Sequence, residues 1–106
     1  MNQDLQDKVC IVTGGNSGVG LMTAVGLAKA GYHVFIGCRS VIKAEKAVDY
    51  IHRNSGNKNV EFLPLNLASL NSVHQFVDLF LTRKLPLHIL INNAGTNIRK
   101  RPEEYE

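Results

Sequence analysis

The sequence predicts an α/β fold built on a parallel sheet, and three observations carry that expectation. Four short runs, Val9-Cys10-Ile11-Val12, His33-Val34-Phe35-Ile36-Gly37-Cys38, Val60 to Leu65 and His88-Ile89-Leu90-Ile91, are close to continuously apolar. Strands covered on both faces have that character, whereas half-exposed strands alternate. Between the runs lie three stretches with helical apolar spacing. The first run passes into the first helical stretch through Thr13-Gly14-Gly15-Asn16-Ser17-Gly18-Val19-Gly20. A glycine-rich turn between a strand and a helix aims backbone N–H groups and the positive end of the helix dipole at a phosphate. The order is therefore βαβαβαβ, with right-handed crossovers.

Each element has its own local warrant. The first strand spans Lys8 to Thr13. The first helix runs from Ser17 or Gly18 to Ala30, with Lys29 its only charge. It is expected to be buried against the sheet, with Gly26 permitting close helix–strand approach and Gly31 ending it as a C′ glycine. After the second strand, Ser40 is placed to cap a helix from Val41 to about Arg53. Ala44, Ala47, Val48 and Ile51 form its inward stripe, and Asn54-Ser55-Gly56-Asn57 stops it. Pro64 belongs at the end of the third strand, since proline donates no ladder hydrogen bond. Ser69 caps the third helix, Leu70 to Thr82, whose apolar stripe is Val73, Phe76, Val77, Phe80 and Leu81. The fourth strand runs into Asn92-Asn93-Ala94-Gly95, and Thr96 to Glu106 carries only Ile98 and Tyr105 as large apolar residues.

Composition narrows the function classes. The net charge of +3 is partly one run, Arg99-Lys100-Arg101, followed by Glu103, Glu104 and Glu106. A nucleic-acid surface would need a broader basic face with interleaved aromatics, so none is expected. No apolar run is long enough to span a membrane, and the polar start Met1 to Lys8 has no signal core; the expected location is cytoplasmic. Cys10 and Cys38 lie in separate strand-like runs and are expected as buried free thiols. The four histidines fall on different elements without ligand spacing, so no metal site is expected.

The motifs point to a dinucleotide. Gly14, Gly18 and Gly20 let the backbone turn tightly and a diphosphate approach. The turn lacks the lysine of a phosphate-binding P-loop. In dinucleotide-binding folds an acidic residue about 20 positions further on holds the ribose 2′-hydroxyl. Here Gly37-Cys38-Arg39-Ser40 stands at the end of the second strand, with no carboxylate. Arg39 would meet a 2′-phosphate with a planar charged fork where an acid would repel it, and Lys43 could add charge. The cofactor expected is NADP(H) and not NAD(H).

Thr13 to Gly20, Gly37 to Ser40, Asn66-Leu67-Ala68-Ser69-Leu70 and Ile91-Asn92-Asn93-Ala94-Gly95 together resemble the short-chain dehydrogenase/reductase family, and within it the retinol-dehydrogenase-like branch. The resemblance covers residue 8 to about 95. It implies a partial Rossmann fold, a doubly wound parallel sheet of strand order 3-2-1-4, with residues 1–95 as an NADP-binding half and 96–106 as an irregular polar tail. By the same resemblance Gly14, Asn16, Ser17, Gly18, Val19 and Gly20 line the diphosphate. Arg39 and Ser40 take the 2′-phosphate. Asn66, where the family usually has aspartate, and Leu67 flank the adenine. Asn93, Ala94 and Gly95, next to Asn92, support the sheet centre and touch the cofactor ribose.

The family transfers a hydride between nicotinamide and an alcohol or carbonyl, with a tyrosine and a lysine four residues later as the acid/base pair. The physical need is a proton exchanged with the substrate oxygen by a phenol whose pKa a nearby ammonium lowers. Tyr32 is followed at the fourth position by Ile36, Tyr50 by Asn54, and Tyr105 lies one residue from the end, so no residue here is a catalytic candidate. The expected role is the cofactor-binding part of such an oxidoreductase, with a small-molecule substrate only if a longer chain completes it. The alternatives are a non-catalytic NADP(H)-binding or partner-pairing short isoform, or an inert fragment. The fourth strand would be an edge, open to self-association or pairing.

Overall fold

A computed structural model describes residues 8–16 and 18–93. Four strands, β1 (Val9–Thr13), β2 (His33–Cys38), β3 (Val60–Pro64) and β4 (Ile89–Asn92), alternate with three helices, α1 (Gly18–Lys29), α2 (Val41–Ser55) and α3 (Leu70–Thr82). The strands form one parallel sheet in the order β3-β2-β1-β4, as the sequence implied. Chain order leaves β1 in one direction to reach β3 and then jumps back across β1 to reach β4. The carboxyl ends of β1 and β4 therefore flank the point where the winding reverses, the place where open α/β sheets bind ligands.

Alternate residues of the buried strands feed two cores. Cys10, Val12, Val34 and Ile36 face α1 and α2, meeting Ala24, Val25, Ala28, Ala47 and Ile51. Val9, Ile11 and Phe35 face the other side, meeting Phe76 and Phe80 of α3 together with Leu65. One helix thus covers a sheet face that two helices cover on the reverse. The caps act as predicted. Ser40 accepts a hydrogen bond from the Lys43 N–H at the start of α2, and Ser69 does the same for Ser72 at the start of α3. Gly31 has the positive φ expected after α1. Cys10 and Cys38 are buried free thiols; burial pushes Cys10 up to about 12, and raises Cys38 against a backbone hydrogen bond to Ser40. No helix among the described residues is long and apolar enough to cross a membrane.

Several expectations need correction. α1 is not buried all round: Val19 is 75% and Met22 58% exposed. Gly26 lies on that exposed side, and a Cβ there would touch nothing within 4 Å, so it serves no close approach to a strand. α2 runs two residues further than expected, to Ser55, before Gly56 caps it in the left-handed region. The α3 stripe is narrower than its composition suggested, because Val77 and Leu81 are exposed while Phe76 and Phe80 are buried. Strands β1 and β4 begin one residue later, and β3 ends one residue earlier, than the sequence suggested.

At the amino-terminal end of the sheet, Glu61 of β3 ties α3 down. Both terminal guanidinium nitrogens of Arg83 donate to its carboxylate, and the His33 ring lies 2.9 Å from its Oε2. The Arg83 hydrogen bond, against an opposing contribution from burial and with help from His33, holds the Glu61 carboxyl below the usual range. A lowered carboxyl pKa stabilises the fold above the unfolded glutamate pKa, and that stability disappears as pH falls through the lowered value. The Glu61→Gln variant should therefore melt at a lower temperature than the parent near neutral pH. The gap should close on acidification, and thermal melts recorded across the acid range read it directly.

Candidate functional site

In a parallel sheet every strand ends on the same edge, so residues 13–16, 39–40, 66–67 and 92–93 are brought to one side by topology alone. The link between β1 and β4 is polar. Thr13, buried at the end of β1, donates from Oγ1 to Asn92 Oδ1 at 3.0 Å and accepts from the Asn93 N–H at 2.9 Å. Asn93 in turn directs its Nδ2 to the Gly14 carbonyl at 3.4 Å. On the other flank the Gly14 N–H donates to Gly37 O of β2 at 2.8 Å. The glycine turn is thus fastened to both neighbouring strands.

The turn's shape depends on missing side chains. Gly14 and Gly18 sit at φ +68° and +58°, where L side chains are strained. Gly20, one turn into α1, faces the Gly14 carbonyl so closely that a Cβ would run into that oxygen and into the Asn93 amide nitrogen. Gly15 has a role that its sequence context does not announce. It is buried, and a Cβ there would lie 2.6 Å from Ile36 Cγ2, so it lets the turn rest on β2. A doubled glycine is the only trace of this in the sequence. Val19 stands exposed beside the turn, and Asn16 is half-buried in it. No acidic residue occupies the first turn of α1, so its positive end is not neutralised by its own side chains.

The two neighbouring strand ends supply charge and amide. Arg39 is exposed and makes no hydrogen bond or ion pair among the described residues. Ser40 Oγ is engaged as the α2 cap. Asn66 is half-buried, and its Oδ1 accepts from the Ala68 N–H at 3.0 Å. That bond fixes which end of the amide points inward to the loop, and it leaves the Nδ2 donors unspent. Leu67 is 48% exposed beside it. Of the sequence-predicted residues, Ser17, Ala94 and Gly95 lie outside those described. No cluster of three or more potential metal ligands occurs among the described residues.

This edge suits a dinucleotide phosphate. A glycine turn whose shape a Cβ at position 15 or 20 would disrupt, a helix amino terminus without its own anion and, among the described residues, a guanidinium without a partner and an unspent amide lie at successive strand ends. The chain is similar to known proteins over almost its whole length. It is 53% identical over 93 residues to the WW domain-containing oxidoreductase of Danio rerio, a match of 88% of this chain and 23% of that protein. It is 42% identical over 94 residues to retinol dehydrogenase 12 of Mus musculus, 89% of this chain and 30% of that one. Among solved structures, the L-sorbose reductase of Gluconobacter frateurii, complexed with NADPH and L-sorbose, superposes with a TM-score of 0.75 at 29% identity, covering 92% of this chain and 39% of that one. The chain thus spans a quarter to a third of the length of these curated relatives. The family described as short chain dehydrogenase matches residues 8–106, and, in keeping with the sheet order β3-β2-β1-β4, the chain belongs to the short-chain dehydrogenase/reductase family, of which it represents the N-terminal part.

Proposed function

We propose that this chain is the NADP(H)-holding part of a short-chain oxidoreductase, and that it binds the cofactor without itself supplying the acid/base residue. The carrying observation is Arg39: an exposed guanidinium without a partner among the described residues, two residues beyond the Gly37 carbonyl that anchors the glycine turn. In this proposal the diphosphate lies over Gly14 to Gly20, against the amino terminus of α1. The Arg39 fork takes the 2′-phosphate, with Ser40 beside it. Asn66 donates from Nδ2 to a ring nitrogen of adenine, whereas an aspartate at that position could only accept when ionised. Leu67 covers the ring. Asn93, with Ala94 and Gly95 after it, borders the ribose.

When bound, the nicotinamide supplies a hydride acceptor or donor for an alcohol or carbonyl substrate. The residues described here bind and orient. The sequence contains no Tyr-x-x-x-Lys, so proton exchange with the substrate oxygen falls to residues beyond this chain.

Equilibrium titration by tryptophan-independent means, such as NADPH fluorescence or calorimetry, tests the proposal. NADPH should bind saturably and more tightly than NADH. Arg39→Ala should weaken NADPH by about 10- to 100-fold, the worth of a hydrogen bond between charged partners, while leaving NADH nearly unchanged. Absence of saturable NADPH binding, or equal loss for both cofactors, would refute it.

A further inference from the structure

Of the four histidines, one makes a bond that a proton would destroy. His33 Nε2 lies 2.9 Å from a Glu61 carboxylate oxygen, and His52 Nε2 lies 3.3 Å from the Val60 carbonyl. Each of those ring nitrogens faces an acceptor and can carry a proton there. His74 makes no hydrogen bond among the described residues. His88, the residue before β4, differs. Its Nδ1 accepts the backbone N–H of Val9 at 3.0 Å. An imidazole nitrogen accepts only through a free lone pair, so this ring is neutral with its proton on Nε2.

That bond is half of a clamp. The His88 N–H donates to the Val9 carbonyl at 2.9 Å, so the two residues exchange a pair of bonds where β1 and β4 begin. Val9 is buried, and an N–H that loses the imidazole there has few other partners. Leu85, Pro86 and Leu87, just before His88, bring no polar side chain to replace the ring. The charged groups that the fold gathers at this end of the sheet are Lys8 before β1, His33 in register with Val9, Glu61 of β3, and Arg83 and Lys84 after α3. Glu61 is taken by Arg83 and His33. Among the described residues none of these groups is bonded to His88, so no carboxylate is in place to balance an imidazolium.

Side chains thus fasten β4 to β1 at both ends, by different chemistry. At the carboxyl end Thr13 donates to Asn92 Oδ1 and accepts from the Asn93 N–H. A hydroxyl and amides keep their protons across the physiological range, whereas imidazole is the side chain whose charge ordinarily changes between about pH 5 and 8. A ring protonated on both nitrogens would present Nδ1–H to the Val9 N–H, donor against donor, and has to swing away. Acid therefore releases one end of β4 and leaves the other fastened.

We propose that His88 is a pH-sensitive latch, closed while its neutral imidazole accepts from Val9 and opened by protonation, which frees the amino end of β4 with the Thr13 clasp still in place. Nuclear magnetic resonance of the full 106-residue chain tests it. At about pH 8 the His88 imidazole nitrogens should report a proton on Nε2 alone. On acidification to about pH 5, exchange of the Val9 amide, corrected for the intrinsic effect of pH, should quicken about tenfold, the worth of one hydrogen bond. It should do so in step with protonation of His88. The amide of Ile36, fully buried in the middle of the sheet, should keep its protection. His88→Asn sets an amide oxygen, which takes no proton, near the place of Nδ1, and should keep Val9 protected at both pH values. His88→Ala should lose that protection at both. The tautomer and the exchange of the parent decide the matter even where a variant fails to fold. A proton on Nδ1 in the alkaline sample, Val9 protection unchanged by acid, equal quickening at Ile36, or the same acid response in His88→Asn would overturn the proposal.

Discussion

Gly20→Ala is expected to be the most damaging single methyl group that can be added to this chain. Its Cβ would meet the Gly14 carbonyl oxygen and the Asn93 amide nitrogen, the first of which belongs to the backbone of the turn. The carbonyl cannot retreat cheaply, whereas the Asn93 amide can turn away only by giving up its bond to Gly14. Gly14 is tied to Gly37 through its N–H, and the Asn93 N–H is held by Thr13. The methyl must therefore push α1 away from the turn or break the ties between turn and strands. Overpacking of this kind costs about 1–3 kcal/mol, and loss of the Asn93–Gly14 bond adds about 1 kcal/mol more. Against the stability of a small domain, about 5–15 kcal/mol in total, this should appear as a clear drop in the denaturant midpoint. NADPH binding should be lost by more than the stability change accounts for, because the displaced groups are those proposed to cradle the diphosphate. Gly26→Ala is the internal control. It sits on the same helix in open space and replaces a poor helix former with a good one, so it should stabilise by up to about 1 kcal/mol. A Gly20→Ala protein with parental midpoint and parental cofactor affinity would show that this contact neither holds the turn nor shapes a cofactor site.

The contrast between those two glycines shows what the sequence can reveal. Strand and helix positions are legible because a buried parallel strand and a capped helix each leave a local signature, as Ser40 and Ser69 do. The residues expected at a cofactor edge recur at set distances along the chain, Gly14 to Gly20, Arg39, Asn66 and Asn93, and the parallel sheet brings these strand ends to one edge. What stays hidden depends on facing. α1 is apolar on every side, so its composition gives no hint that Val19, Met22 and Gly26 are outward. Gly14 and Gly15 are adjacent and chemically identical, yet one is needed for its positive φ and the other for its contact with Ile36. Asn57 sits in a stretch that reads simply as a helix stop. In the structure its Nδ2 bridges the carbonyls of Ala28 and Tyr32, stapling the α1–β2 turn to the end of α2. The donor pattern left at Asn66 follows from a loop hydrogen bond to Ala68 that no residue identity announces.

Arg39→Asp should reverse the cofactor preference while leaving the fold intact. Removing the guanidinium forfeits a charge-assisted contact worth about 1.5–3 kcal/mol. The new carboxylate then faces a phosphate of like charge, so NADPH affinity should fall by at least about a hundredfold. The same carboxylate can accept a hydrogen bond from the 2′-hydroxyl that NADH presents in place of the phosphate, so NADH should bind more tightly, by up to about tenfold. Stability should move the other way from binding. Arg39 has no partner to lose among the described residues, and it precedes the Ser40 cap of α2. An acid near a helix amino terminus gains about 0.3–1 kcal/mol where a base is disfavoured. The variant should thus melt at or slightly above the parental temperature without cofactor, show less stabilisation by added NADPH, and show more by added NADH. Thermal shift with each cofactor separates these effects in one experiment. A general loss of binding to both would mean that residue 39 shapes the site and does not read the 2′ position. Unchanged NADPH binding would place the 2′-phosphate elsewhere on the edge, with Lys43 the next cation along α2.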